Sequence, residues 1–193
     1  MNVVQHTKRI LPANSKPRNL ISLFTTSRIC ILIILILSKT TDAQVFDITG
    51  YGAVGNGTTL NTTAIQNAVD ACYNAGGGIV NVPSGVFLTA TIFLKSNVEL
   101  HLEQGATIKG SSVVSDYPDV IPLVRSYADN YPQRSVFYAE GQHNISITGD
   151  GKFDGNGTSV SFLLDASHKP YGFRFISCSN IKYMSVTLIN SGL

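Results

Sequence analysis

Acid–base chemistry would begin at paired carboxylates, and this 193-residue sequence offers Asp150 with Asp154 in GDGKFDG and Glu99 with Glu103 in NVELHLEQG. Two acids on one face can divide the work, one protonating a leaving group while the other activates water. Strand alternation puts residues four apart on one face, yet the glycines around Asp150 and Asp154 mark both as turn residues. Glu99 and Glu103 flank a strand as solvated surface. Asp116, Asp119 and Asp129 belong to the long loop SSVVSDYPDVIPLVRSYADNYPQRS, together with Tyr117, Tyr127, Tyr131, Arg125 and Arg134. No residue is thereby singled out as catalytic. His101, His143 and His168 are scattered without a plausible partner, and Cys30, Cys72 and Cys178 have no metal-ligand spacing.

A second chemical suspicion attaches to ITGYGAVGNGTTL, where Gly50, Gly52 and Gly55 fit G-x-G-x-x-G. A dinucleotide loop runs straight into a helix whose N–H groups face the phosphate, and an acid closes the next strand. Here the next helix starts eight residues beyond Gly55, at Thr63, whose hydroxyl and Gln66 read as a T-x-x-Q capping box. The following strand, GIVNVP, ends without an acid. The glycines therefore read as turns.

The charge is unevenly spread. Lys8, Arg9, Lys16, Arg18 and Arg28 precede the apolar run Ile29 to Leu37, and Thr41 with Ala43 supplies small residues for cleavage after Ala43. Residues 1–43 read as a secretory signal with a basic lead, since nine apolar residues are short for a bilayer span; an uncleaved anchor is the alternative. That segment holds six of the 14 Lys and Arg and one of the 12 Asp and Glu, so residues 44–193 carry a net charge of −3. Nucleic acid is a poor partner for such a surface. An extracellular setting also suits four N-glycosylation patterns, at Asn56, Asn61, Asn144 and Asn156. In an oxidising compartment Cys72 and Cys178 are either bridged or two free thiols.

The elements that must position these residues are of two kinds. Ile65, Ala68, Val69 and Cys72 repeat at helical spacing until Gly76 to Gly78 stop them, which predicts one amphipathic helix from Thr63 to Ala75. Beyond it come short runs rich in Val, Ile, Phe and Leu: GIVNVP, GVFLTATIFL, VELHLEQGATIKG, SVFYAEG, ISITGDGKFDG, YGFRFISC and KYMSVTLIN. These are strands. TIFLKSNVELHL, SVFYAEGQHNISITG and GFRFISCSNIKYMSV place Asn97, Asn144 and Asn180 at equivalent points, 47 and 36 residues apart. Irregular spacing suits a solenoid with variable loops. The expected fold is all-β, a parallel β-helix whose N-terminal end the helix covers; a β-sandwich is the alternative.

Four stretches carry a family resemblance: FDITGYGAVGNGTTLNTTAIQNAVDAC, GGGIVNVPSGVFLTATIFLKSNVELHLEQGATIKGSS, ITGDGKFDGNG and FRFISCSNIKYMSVTLINSG. Together they resemble the N-terminal portion of polygalacturonases, glycoside hydrolase family 28 of the pectin lyase-like superfamily, over Val45 to Gly192. The resemblance implies a right-handed parallel β-helix and inverting hydrolysis of α-1,4-galacturonan in pectin, by an acid and a base carboxylate and without a cofactor. The family's catalytic elements are an Asn-Thr-Asp stretch, an Asp-Asp pair, a Gly-His-Gly and an Arg-Ile-Lys; none occurs in this sequence. In the family these aspartates come from coils that follow the strand matching TLINSG. The resemblance thus implies the N-terminal coils of a secreted enzyme, a β-helix cut short at its C-terminal end and inactive alone.

Aromatic faces stack on sugar rings and Arg forks match uronate carboxylates, so Arg125, Tyr127, Tyr131 and Arg134 are the candidate substrate-binding residues; the alternative is a loop that only folds over the coils. A rival of another class is a non-catalytic secreted β-helix that binds cell-wall polysaccharide or protein. A Ca²⁺-dependent eliminase would need a carboxylate cluster, and none is evident.

Overall fold

A computed structural model describes residues 43–124, 134–158 and 169–190. Thirteen strands within them form three sheets in which every pairing is parallel. The first sheet contains β1 (Val45–Asp47), β3 (Gly78–Val82), β6 (Val98–Leu102), β9 (His143–Thr148) and β12 (Ser179–Tyr183), in that order. The second contains β2 (Asn56–Leu60), β4 (Gly85–Thr89), β7 (Ala106–Gly110), β10 (Lys152–Asp154) and β13 (Thr187–Ile189). The third contains β5 (Ile92–Phe93), β8 (Ser135–Glu140) and β11 (Tyr171–Ile176). The chain visits the sheets in turn, and each strand pairs with its counterpart one coil away. This is the winding of a right-handed parallel β-helix.

Period-2 patterning sends alternate side chains inward, where like stacks on like. Val80, Leu100 and Ile147 share one rung of the first sheet, as Phe87, Ile108 and Phe153 trace one in the second. In the third sheet Ile92, Phe137 and Phe173 align, and the rings of Phe137 and Phe173 stack at 5.2 Å between centroids. Phe153 leans on both, with centroids 5.1 Å away.

At the corners, Asn97, Asn144 and Asn180 all have positive φ, at 63°, 55° and 53°. Asparagine tolerates this left-handed backbone better than most side chains, and here the amides also form a ladder. Asn180 Nδ2 donates to Asn144 Oδ1 at 2.6 Å, and Asn144 Nδ2 donates to Asn97 Oδ1 at 2.9 Å. The equivalence read from the sequence is thus a physical stack.

Helix α1 (Thr62–Asn74) buries Ile65, Ala68, Val69 and Cys72 against the first coil. The expected capping box is absent: Asn61 is the N-cap, and no side-chain bond closes it. Of the expected pair, Thr63 and Gln66, only Gln66 is spent on the sheet, where the neighbouring Thr62 joins it. Thr62 Oγ1 accepts the Ala90 N–H at 2.8 Å. Gln66 Oε1 accepts the Phe93 N–H at 2.8 Å while its Nε2 donates to the Phe93 carbonyl at 3.1 Å. One side-chain amide thereby takes the place of a neighbouring strand along β5.

The opening glycines are turns. Gly52, at φ 94°, closes a 3-10 turn over Ile48–Tyr51 and donates its N–H to the Thr49 carbonyl at 3.0 Å. Gly55 lies against Phe87, whose Cζ would be 2.9 Å from an added Cβ. Packing, not a ligand, excludes a side chain there.

Candidate functional site

The outward face of the third sheet collects the chemically active side chains. While Ile92, Phe137 and Phe173 point into the core, Phe93, Tyr138 and Arg174 form the adjoining rung. The Phe93 and Tyr138 rings meet edge to face, with centroids 5.7 Å apart. Tyr138 is buried and its hydroxyl donates to Glu140 Oε2 at 2.8 Å. Glu140 Oε1 accepts the Leu123 N–H at 2.7 Å and the Val124 N–H at 3.3 Å, which ties the preceding loop to the sheet. Burial, and then the bond to Glu140, push the Tyr138 phenol up to about 12. The same bond holds the Glu140 carboxyl below the usual range, helped by the two backbone donors and the nearby Arg174 charge.

Beside this network is a hollow of about 110 Å³. Leu94 and Ala139 are buried in its lining, and Phe93, Lys95, Tyr138, Glu140 and Gln142 complete it. Gln142 is fixed by strand-end contacts: its Oε1 accepts the Ser96 N–H at 2.9 Å and hydroxyl at 2.8 Å, and its Nε2 donates to the Glu140 carbonyl at 3.1 Å. The Lys95 ammonium stands 6.0 Å from the centre of the Tyr73 ring on α1, at the outer reach of a cation–π contact. Tyr73, Phe93, Lys95, Tyr138, Glu140 and Gln142 were not candidates from the sequence. Their signal was there: in the aligned runs TIFLKSN and SVFYAEGQHN, aromatic and polar residues fall at outward strand positions.

The expected site residues fare differently. Arg125, Tyr127 and Tyr131 lie outside the described residues, as do Asp129 and His168. Arg134 is described, and the chain's own Asp119 occupies its fork, with Nε 2.9 Å from Oδ1 and Nη2 3.1 Å from Oδ2. Tyr117 of the same loop is buried and donates to the Ser111 carbonyl at 2.8 Å, so this tyrosine anchors the loop.

Of the acids weighed at the outset, Asp154, Glu99 and Glu103 make hydrogen bonds within the coils. Asp154 accepts the Asn156 N–H at 2.8 Å and the Asn190 amide at 3.0 Å. Asp150 is exposed at the corner before β10. Glu99 accepts the Thr148 hydroxyl at 2.6 Å, and Glu103 accepts from Asn81 at 2.8 Å. His101 Nδ1 lies 2.9 Å from Thr148 Oγ1 and His143 Nδ1 3.2 Å from Ser96 Oγ, so both histidines have partners. Among the described residues no group of three His, Cys, Asp or Glu is placed to hold a metal ion.

Of the glycosylation patterns, Asn56 and Asn144 are exposed and Asn156 is half-buried. Asn61 is 2% exposed. Its Oδ1 accepts the Val54 N–H at 2.7 Å, and its Nδ2 donates to the Thr59 and Val54 carbonyls at 2.7 and 3.1 Å. In the folded chain that amide is a structural tie with no room for a glycan. Cys72 is a buried free thiol, pushed up to about 11 by that burial, and Cys178 is also free. Residues 1–42, nearly all of the expected signal, lie outside the described residues, among which no helix is long and apolar enough to cross a membrane.

No family model matches the chain. Over 122 residues it is 45% identical to the exo-poly-alpha-D-galacturonosidase of Dickeya chrysanthemi, a match covering 59% of this chain and 20% of that protein. This chain is a relative of the polygalacturonases. The exopolygalacturonase of Thermotoga maritima superposes with a TM-score of 0.62 at 25% identity, over 80% of this chain and 43% of that one. A relative of different description is plasmin and fibronectin-binding protein A of Streptococcus pneumoniae, 34% identical over 163 residues, 81% of this chain and 22% of that protein. The chain thus spans about a fifth of the length of these two curated relatives.

Proposed function

We propose that these coils are the N-terminal scaffold of a secreted pectin-acting glycoside hydrolase, and that they contact polygalacturonan along the outward face of the third sheet without cleaving it themselves. The observation that carries this reading is the 45% identity to an exo-poly-alpha-D-galacturonosidase. In support, Asp154, Glu99 and Glu103 are engaged in corner and strand contacts, whereas inverting hydrolysis needs two free carboxyl groups with room for water between them. The test is the full chain on polygalacturonate, assayed for reducing ends between about pH 4 and 8 and for retention on a polygalacturonate affinity gel. Retention without reducing ends is expected. Hydrolysis that Asp154→Ala abolishes would overturn the assignment of Asp154 to a corner.

The longer match to a plasmin and fibronectin-binding protein favours a second reading, a β-helix that binds protein. Immobilised plasmin and fibronectin separate the two: capture by either, with no retention on polygalacturonate, replaces the first reading with the second.

A further inference from the structure

The hollow on the third sheet has an imbalance between donors and acceptors that specifies a ligand. Its one carboxylate, Glu140, already accepts three hydrogen bonds: Oε2 takes the Tyr138 hydroxyl and Oε1 takes two backbone N–H groups. Gln142 has its oxygen engaged by Ser96, while its nitrogen makes one bond and keeps a second N–H. Lys95 brings three N–H donors, and its neighbour is the Tyr73 ring rather than an acid. Among the described residues the ion pairs are His101–Glu99 and Arg134–Asp119, neither of which involves it. The side-chain acceptors at the hollow are largely engaged, and donors with a positive charge remain. Phe93, edge-on to Tyr138, adds an apolar wall.

An anionic acceptor with an apolar face satisfies every one of these features. We propose that Lys95 and Gln142 form a subsite for the free carboxylate of one uronic acid unit in polygalacturonan, with the sugar's C–H face against Phe93. This rests on the pectin-acting reading above and names the group that the face recognises. The volume of about 110 Å³ suits the carboxylate and adjoining ring edge, leaving the rest of the chain in solvent. Glu140 does not close the subsite to an anion, because three donors and the Arg174 charge offset its own.

The experiment is calorimetric titration of the full chain with trigalacturonate, its fully methyl-esterified form and a neutral galactose trimer, alongside Lys95→Met and Lys95→Arg. A charge-assisted hydrogen bond in such a site is worth about a tenfold change in affinity or more. Lys95→Met is expected to weaken trigalacturonate at least about tenfold, and Lys95→Arg to stay within about threefold. The ester and the neutral trimer are expected to bind the unmodified chain no better than trigalacturonate binds Lys95→Met. Equal binding of trigalacturonate by the unmodified chain and a folded Lys95→Met overturns the subsite and leaves the pectin-acting reading intact. Failure of the unmodified chain to bind trigalacturonate or the ester overturns both. If Lys95→Met does not fold, the acid-versus-ester comparison on the unmodified chain decides, with equal affinities overturning the subsite.

Discussion

The two ends of the described solenoid bury their apolar columns to different degrees. At the N-terminal end Ile65, Ala68, Val69 and Cys72, on the inner face of α1, are 0% exposed. In the last coil Met184, Leu188 and Ile189 are 57%, 44% and 38% exposed, and Phe173, Phe175 and Ile181 are only partly buried. Strand composition is similar at both ends, so the difference lies in what covers them. A stacked coil satisfies its neighbour's backbone and side chains together. The helix must do both without being a strand, and it uses an apolar face for the side chains and Gln66 and Thr62 for the backbone. Unpaired strand edges are the places where chains associate, and among the described residues the helix covers the N-terminal end.

Thiol labelling reads both ends at once and gives the largest contrast. In a Cys30→Ser chain, Cys178 is expected to react with a thiol reagent at least about a hundredfold faster than Cys72, because exposing Cys72 requires the helix to leave. Comparable rates would mean that the helix does not hold the N-terminal end closed. Paired truncations measure the same difference as stability. Ile65→Ala should lower the unfolding free energy by about 2–5 kcal/mol, while Leu188→Ala should change it by no more than about 0.5–1 kcal/mol; chemical denaturation compares them. The finest cut is Gln66→Leu, which keeps a side chain of similar size but leaves the Phe93 N–H and carbonyl without their partner. A loss of about 1–3 kcal/mol is expected, together with faster amide hydrogen exchange at Phe93. Unchanged exchange would sink the idea that this amide stands in for a strand.

Much of this was legible in the chain. Alternation in runs such as GIVNV and VELHL marks strands because one face of a coil is buried and the other solvated. The recurring Asn before an aliphatic residue located the corners, since each coil must turn at the same place for its asparagine to reach the next. The helix was equally plain, its bounds moving by only one residue, to Thr62–Asn74. The candidate site was harder. Arg134 has the chemistry to hold a uronate, but the approach of Asp119 occupies it. Lys95 had no distinguishing motif until the fold set it beside Tyr73 and Gln142.

Local and periodic features were therefore determined by the sequence itself: strand and helix positions, the turn role of Gly52, and the equivalence of Asn97, Asn144 and Asn180. Each depends on residues near one another in the chain or on a pattern repeated at each coil. Tertiary structure alone decided how multivalent polar side chains are used. Gln66 could bond its own helix terminus or a strand 27 residues away, and it bonds the strand; Asn61 could carry a glycan or tie a corner, and it ties the corner. An amide offers the same donors and acceptor in every setting, so its partner is fixed only when packing brings one unsatisfied backbone group within reach and buries it.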